Sequence, residues 1–171
     1  IRRLVYQDRI NIFLAEHGQR FNFDFINHIF ENLSFTYHTQ HSDSQNIPAT
    51  GRVIIIANHP LGALDGLALL HLVGSIRRDV KIIANDILMQ ISPLSGLMLP
   101  VDTMGGETGR RDISRIHAAL ENEQAVIVFP AGEVSRAGAK GIRDRKWNAG
   151  FLRFAERAQA PLLPIRIKAR N

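Results

Sequence analysis

The chain has 171 residues, 45% of them hydrophobic and 22% charged, which suits one globular domain and excludes a disordered chain. It has no cysteine, so disulfides and thiolate chemistry are excluded, and no apolar run approaches the roughly 20 residues a membrane-spanning helix needs. The formal charge of +5 is unevenly placed: from Arg136 to Arg170 ten Lys or Arg face two acids, Asp144 and Glu156. Such a block attracts an anionic partner, whether nucleic acid, lipid headgroup, phosphorylated cofactor or acidic protein.

The chain starts on Ile1 rather than Met and ends on a charged segment just after a predicted strand, so a piece of a longer protein is expected; no charged-then-apolar stretch marks a signal peptide. Residues 1–33 read as two amphipathic helices split near Gly18. Ile1, Leu4, Val5, Ile10, Phe13 and Leu14 form one apolar set, and Phe21, Phe25, Ile26, Ile29, Phe30 and Leu33 the other. Helices of this kind pack on a core; the basic first piece also fits a membrane surface. Phe35 to His38 alternates briefly before a polar loop. His38 and His41 have no further ligands spaced around them, so no metal site is expected there.

Val53 to Ala57 is an unbroken apolar run rich in β-branched residues, too short for a helix, and predicts a strand buried on both faces. It stops in Asn58-His59-Pro60 and a glycine turn, after which a helical pattern begins, with Asp65 at or near its start. Further strands are predicted at Val80–Ala84, Leu97–Val101, Ala125–Phe129 and Pro161–Ile167. The predicted helices are 109–122, with Ile113, Ile116, Ala119 and Leu120 apolar, and about Arg145 to Ala158. The apolar side of the latter holds Trp147, Phe151, Leu152 and Phe154, which places Trp147 and Phe151 in the core. Strands alternating with helices imply an α/β fold with a mainly parallel sheet flanked by helices, the N-terminal helices packed on it. No repeat or low-complexity tract interrupts the chain. A single domain is expected over 1–171, with a helical part over 1–50 and a catalytic core over 51–168.

In a parallel sheet all carboxyl ends lie on one edge. Asn58-His59, Asp102 and the Gly132 to Arg136 loop should therefore meet, although far apart in sequence. His59 is the candidate general base and Asp65 its orienter, since a carboxylate on one ring nitrogen fixes the tautomer and strengthens the other as a base. The alternative is a histidine that only caps a strand end. No Gly-x-Ser-x-Gly elbow supplies a nucleophile, which favours direct attack by a substrate hydroxyl. In Phe129-Pro130-Ala131-Gly132-Glu133-Val134-Ser135-Arg136, Gly132 permits a close turn whose neighbouring amides can meet an oxyanion. Arg136 can bind an anion bidentately. Glu133 is open to three readings: holding a substrate cation, orienting Arg136, or forming a surface pair. Lys140, Arg143, Arg145 and Lys146 form either an anion cradle or a solvated basic face. Arg110, Arg111 and Arg115 read as an exposed helix face.

Asn58-His59-Pro60 through Asp65-Gly66 and Phe129 through Arg136 resemble the glycerolipid (lysophospholipid) acyltransferase superfamily. Leu97–Val101 running into Asp102, and Ala160-Pro161-Leu162-Leu163-Pro164-Ile165, resemble its middle and last blocks, so that residues 50–168 match in order. The superfamily's usual His-x4-Asp has five intervening residues here, and Ala131 stands where its third block usually has Glu. These departures resemble a bacterial branch that carries a hemolysin label and includes O-acyltransferases of lyso-ornithine lipid. The resemblance implies transfer of a fatty acyl group from an acyl carrier protein or CoA thioester to the hydroxyl of a lyso-lipid. It implies no metal or redox cofactor, and a peripheral position at the cytoplasmic face of the inner membrane, on an anionic surface. His59 and Asp65 would be catalytic, and Asn58, Gly132, Glu133, Ser135, Arg136, Arg143 and Lys146 would bind substrate. The other readings are a thioesterase-like hydrolase, and a basic module binding membrane or nucleic acid, the latter disfavoured because no nucleic-acid fold signature accompanies the charge.

Overall fold

A computed structural model of the chain describes residues 18–84, 89, 91–101, 106–138 and 141–169. The first expected helix, Asp102 and Lys140 lie outside the described residues, as does the side chain of Arg110. The elements in order are α1 (Asn22–Leu33), α2 (His41–Ser44), β1 (Val53–Ala57), α3 (Ala63–Gly74), β2 (Val80–Ala84), a 3-10 turn (Ser92–Leu97) and β3 (Met98–Pro100). They continue with α4 (Gly106–Glu121), β4 (Ala125–Val128), β5 (Arg136–Gly138), β6 (Gly141–Arg143), α5 (Gly150–Ala158) and β7 (Leu162–Ile165).

Five strands form one parallel sheet in the order β3-β2-β4-β1-β7, as the alternation of strand and helix predicts. All five residues of β1 are buried, because a central strand packs both of its faces. Its side chains alternate: Val53, Ile55 and Ala57 join α3 and α1 on one face, while Ile54 and Ile56 meet α4 and α5 on the other. Phe25, Ile26 and Phe30 bring α1 into the first of these cores by way of α3 and the 3-10 turn. β7 is an edge strand, half exposed, and tolerates Pro164 for that reason.

β1 and β4 are neighbours, yet the chain leaves β1 for a helix on one face and leaves β4 for a helix on the other. This is the topological switch of an open α/β sheet, and the crevice it opens lies beyond the carboxyl ends of those two strands. The segments that leave these ends are His59-Pro60 and Phe129-Pro130.

Several details differ from the sequence expectation. Within the basic segment after Gly132, Arg136–Gly138 and Gly141–Arg143 pair as two short antiparallel strands that the sequence did not predict. α5 begins at Gly150 rather than near Arg145, because the Asn148 backbone N–H is tied to Pro130 O and its side-chain Oδ1 accepts from Gly150 N, each at 2.8 Å. Trp147 therefore lies outside the helix and is 38% exposed, not in the core; Leu152 and Ile113 also face solvent, at 48% and 43%. Phe35 to His38 forms no regular element: Phe35 packs on Phe30, and the Tyr37 hydroxyl meets His71 Nδ1 at 2.6 Å. Burial, and then Arg78, keep the His71 pKa below its ordinary value.

Candidate active site

β1 ends at Ala57, and Asn58 extends its pairing with the last segment by side chain: Nδ2 donates to Ile167 O at 2.9 Å and Oδ1 accepts from Ile167 N at 2.7 Å. That engagement gives Asn58 a strand-joining task beside the crevice. The chain then reverses through Pro60 and Leu61 to Gly62, whose φ of +71° suits a residue without Cβ. Gly66, one turn into α3, faces Ile82 and Phe129 so closely that a Cβ there would lie 3.1 Å from Ile82 Cδ1.

This reversal brings Asp65, the third residue of α3, back under His59. Asp65 Oδ2 accepts from the Leu61 N–H at 2.7 Å and meets His59 Nδ1 at 3.1 Å. A carboxylate only accepts, so in the neutral imidazole Nδ1 carries the proton and Nε2 the lone pair. The Asp65 side chain is 1% exposed and that of His59 17%, so the acid is sealed and the imidazole reaches the crevice. The N-terminal turn of α3 favours a negative charge at Asp65. Among the described residues Asp65 Oδ1 has no hydrogen-bond partner. The His59 ring stacks on Phe129 with centroids 4.0 Å apart and 20° between planes, which fixes its plane against the segment leaving β4.

The backbone of His59 is held on both sides. Its C=O accepts from Ser135 N at 2.8 Å, and its N–H donates to Asp144 Oδ1 at 3.2 Å. The Ser135 hydroxyl donates to the same oxygen, and Trp147 Nε1 donates to Asp144 Oδ2 at 2.8 Å. Burial pushes the Asp144 carboxyl up, but the donors from Ser135, Trp147 and His59 outweigh it and hold the pKa below the ordinary value. Asp144 thus fastens three loops together around the imidazole.

Gly132 turns with φ +68° and spends its own N–H on Phe129 O at 3.0 Å, leaving only its neighbours' amides for an oxyanion. Glu133 lies between two guanidinium groups, Arg136 at 2.8 Å and Arg145 at 2.6 Å. Of its three sequence readings, the pairing with Arg136 is the one the geometry displays, with Arg145 as a second cation. Lys146 is exposed. A cavity of about 390 Å³ runs along β7, lined by Asn58, Arg143, Asp144, Trp147, Pro164, Ile165 and Arg166, so that two of the expected substrate-binding residues, Asn58 and Arg143, face it. Among the described residues no three His, Asp or Glu side chains stand together as metal ligands.

The fold therefore joins His59, Asp65, Ser135 and the Gly132–Arg136 loop, with Arg143 on the neighbouring cavity. Sequence reasoning missed Asp144 and the outward role of Trp147. The available signal was that Asp144 is the only acid between Arg136 and Arg153, three residues from the only tryptophan.

The chain is 28% identical over 173 residues to a lyso-glycine lipid O-acyltransferase of Phocaeicola vulgatus, and 31% identical over 173 residues to one of Bacteroides thetaiotaomicron. Each alignment takes in 100% of this chain but 61% and 62% of the relative, so the chain spans about three fifths of their length. Residues 1–170 match the model of the family described as Acyltransferase. With the histidine and its buried aspartate at the switch of a parallel sheet, and a family match along nearly its whole length, the chain belongs to the acyltransferase family.

Proposed function

We propose that this protein moves a fatty acyl group from a thioester to the hydroxyl of a lyso-lipid, with His59 as general base. The observation that carries the reading is the Nδ1–H of His59 on buried Asp65, which leaves Nε2 as a base at the crevice. Nε2 takes the acceptor hydroxyl's proton as its oxygen attacks the thioester carbonyl. The resulting oxyanion collapses, the C–S bond breaks, and the imidazolium returns the proton to the departing sulfur. Asp65 stabilises the imidazolium between these steps. No metal or redox cofactor enters this proton path.

The two relatives are lyso-glycine lipid O-acyltransferases, which supports a lyso-glycine lipid as acceptor. Charge supports it too. Glu133 is already matched by Arg136 and Arg145, so this corner carries net positive charge and suits an N-acylated glycine's carboxylate better than the side-chain amine of ornithine. Either donor, acyl carrier protein or acyl-CoA, is anionic and fits the basic stretch from Arg136 to Lys146. A lipid acceptor favours a peripheral position at the cytoplasmic face of the inner membrane.

The test offers labelled acyl carrier protein and acyl-CoA with lyso-glycine lipid, lyso-ornithine lipid and lysophosphatidate. Labelled diacyl product, greatest with lyso-glycine lipid, is the expected result. Free fatty acid released at the same rate without any acceptor would make the protein a hydrolase instead.

A further inference from the structure

The carboxyl edge of the sheet carries large apolar side chains that the protein leaves uncovered. Leu61 is 43% exposed, Val134 44% and Trp147 38%, all on segments that hold His59. Leu61 follows the histidine by two residues and gives its N–H to Asp65. Val134 lies against Gly62, close enough that a Cβ there would be 3.4 Å from Val134 Cγ2. Trp147 has its indole N–H on Asp144 and its ring edge-on to Phe151, with 38% of the residue exposed. Arg136, Arg143, Arg145 and Lys146 lie in the same stretch of chain as Val134 and Trp147, all exposed, against Glu133, which pairs with Arg136 and Arg145, and Asp144. Of the other exposed apolars, Ile76, just beyond α3, and Leu162, at the start of β7, belong to the opposite edge, while Phe21 and Leu33 flank or end α1 and Ile113 and Leu152 lie on α4 and α5.

We propose that this edge is the face laid on an anionic lipid surface, with Leu61, Val134 and Trp147 entering the headgroup layer and the four cations meeting lipid phosphate. This rests on the lipid-acceptor reading above and adds the docking surface to it. Charge complementarity draws the edge to the membrane, and the apolar tips distinguish it from a merely basic face. An indole with an apolar body and an anchored N–H suits the boundary between headgroups and chains. Docked this way, the His59 crevice opens toward the leaflet, and a lyso-lipid reaches it by a short displacement rather than by leaving the membrane.

Trp147 is the only tryptophan of the chain, so its fluorescence reports this face alone. The experiment adds phosphatidylglycerol vesicles to the 171-residue protein, with bromine-labelled lipid as quencher, and monitors binding by sedimentation. The expected result is a shift of emission to shorter wavelength, quenching by shallow bromines, and reversal by salt. Val134→Asp should weaken vesicle binding, read by sedimentation, by about tenfold. Failure to bind such vesicles, or binding with unchanged, unquenched Trp147 emission, would overturn the proposal. So would an emission change with acyl carrier protein but not with vesicles, which would make the edge a protein-docking face. His59→Ala should bind vesicles like wild type. Quenched wild-type protein that transfers no acyl group would sink the reaction assignment and leave the docking face standing.

Discussion

Asp65→Asn changes one atom of a nearly isosteric side chain, yet should cost most of the activity. Asp65 Oδ2 serves two donors at once, Leu61 N at 2.7 Å and His59 Nδ1 at 3.1 Å. With the asparagine oxygen in the place of Oδ2 both donors keep a neutral acceptor, and the new NH2 takes the place of Oδ1, which has no partner among the described residues, so the tautomer is kept and what is lost is the negative charge beside the imidazole. The lost charge-assisted hydrogen bond is worth about 1.5–3 kcal/mol, roughly 10- to 150-fold. Removing the charge that stabilises the imidazolium adds to this, so kcat should fall by about 10²–10⁴. The assay is steady-state acyl transfer from a thioester to a lyso-lipid, with acceptor KM and thermal midpoint measured in parallel. KM should change little, since Asp65 is sealed from substrate. Activity within about fivefold of wild type, from a folded variant, would refute the part assigned to the Asp65 charge.

Asp144→Asn should also lower kcat, by about tenfold or more, because one oxygen that accepts from His59, Ser135 or Trp147 becomes a donor aimed at a donor. Ser135→Ala removes one of those contacts and should give a milder loss, read from the same kinetics. Arg77, 5% exposed, donates twice to Asp79 and to the carbonyls of Pro48, Gly51 and Glu123. Arg77→Met should cost about 3–5 kcal/mol, measured as a urea midpoint, because three carbonyls and a carboxylate lose a donor together. Hydrogen bonds from Arg77 are the chief cause holding the Asp79 carboxyl below its ordinary 3.8, against the opposing effect of burial. A depressed carboxyl stabilises the fold above its unfolded pKa and stops doing so as pH falls through the folded one. Asp79→Asn should thus lower stability at neutral pH and flatten the loss seen between about pH 5 and pH 2, which urea melts across that range would display.

The strands were legible because buried parallel strands are written as short β-branched runs, and Val53–Ala57 and Ala125–Val128 could be little else. The neighbour relation was not: β4 inserts between β2 and β1, a choice made by helices crossing to opposite faces rather than by any one segment. The hairpin escaped notice because Arg136–Gly138 and Gly141–Arg143 are three residues each, too short to show a period. The start of α5 was misplaced for a tertiary reason, the pull of Pro130 and Asp144 on Asn148 and Trp147, which overrides local helix propensity. At the site, the His59–Asp65 pair was legible from six residues of spacing and a glycine turn. Asp144 lies 85 positions from His59 and was not. Helix and strand periods describe neighbours in sequence, and a carboxylate that holds a distant backbone N–H leaves no period.

The most direct measurement is acyl transfer from labelled acyl carrier protein to lyso-glycine lipid by wild type and by His59→Ala, beside a thermal melt of each. Removing a positioned general base costs typically about 10²–10⁴ in rate. Product formed by wild type and reduced by at least about a hundredfold in the folded variant is the predicted result. Near-equal product from both would mean that the proton leaves by another route, and that His59 on Asp65 is only the end of a strand.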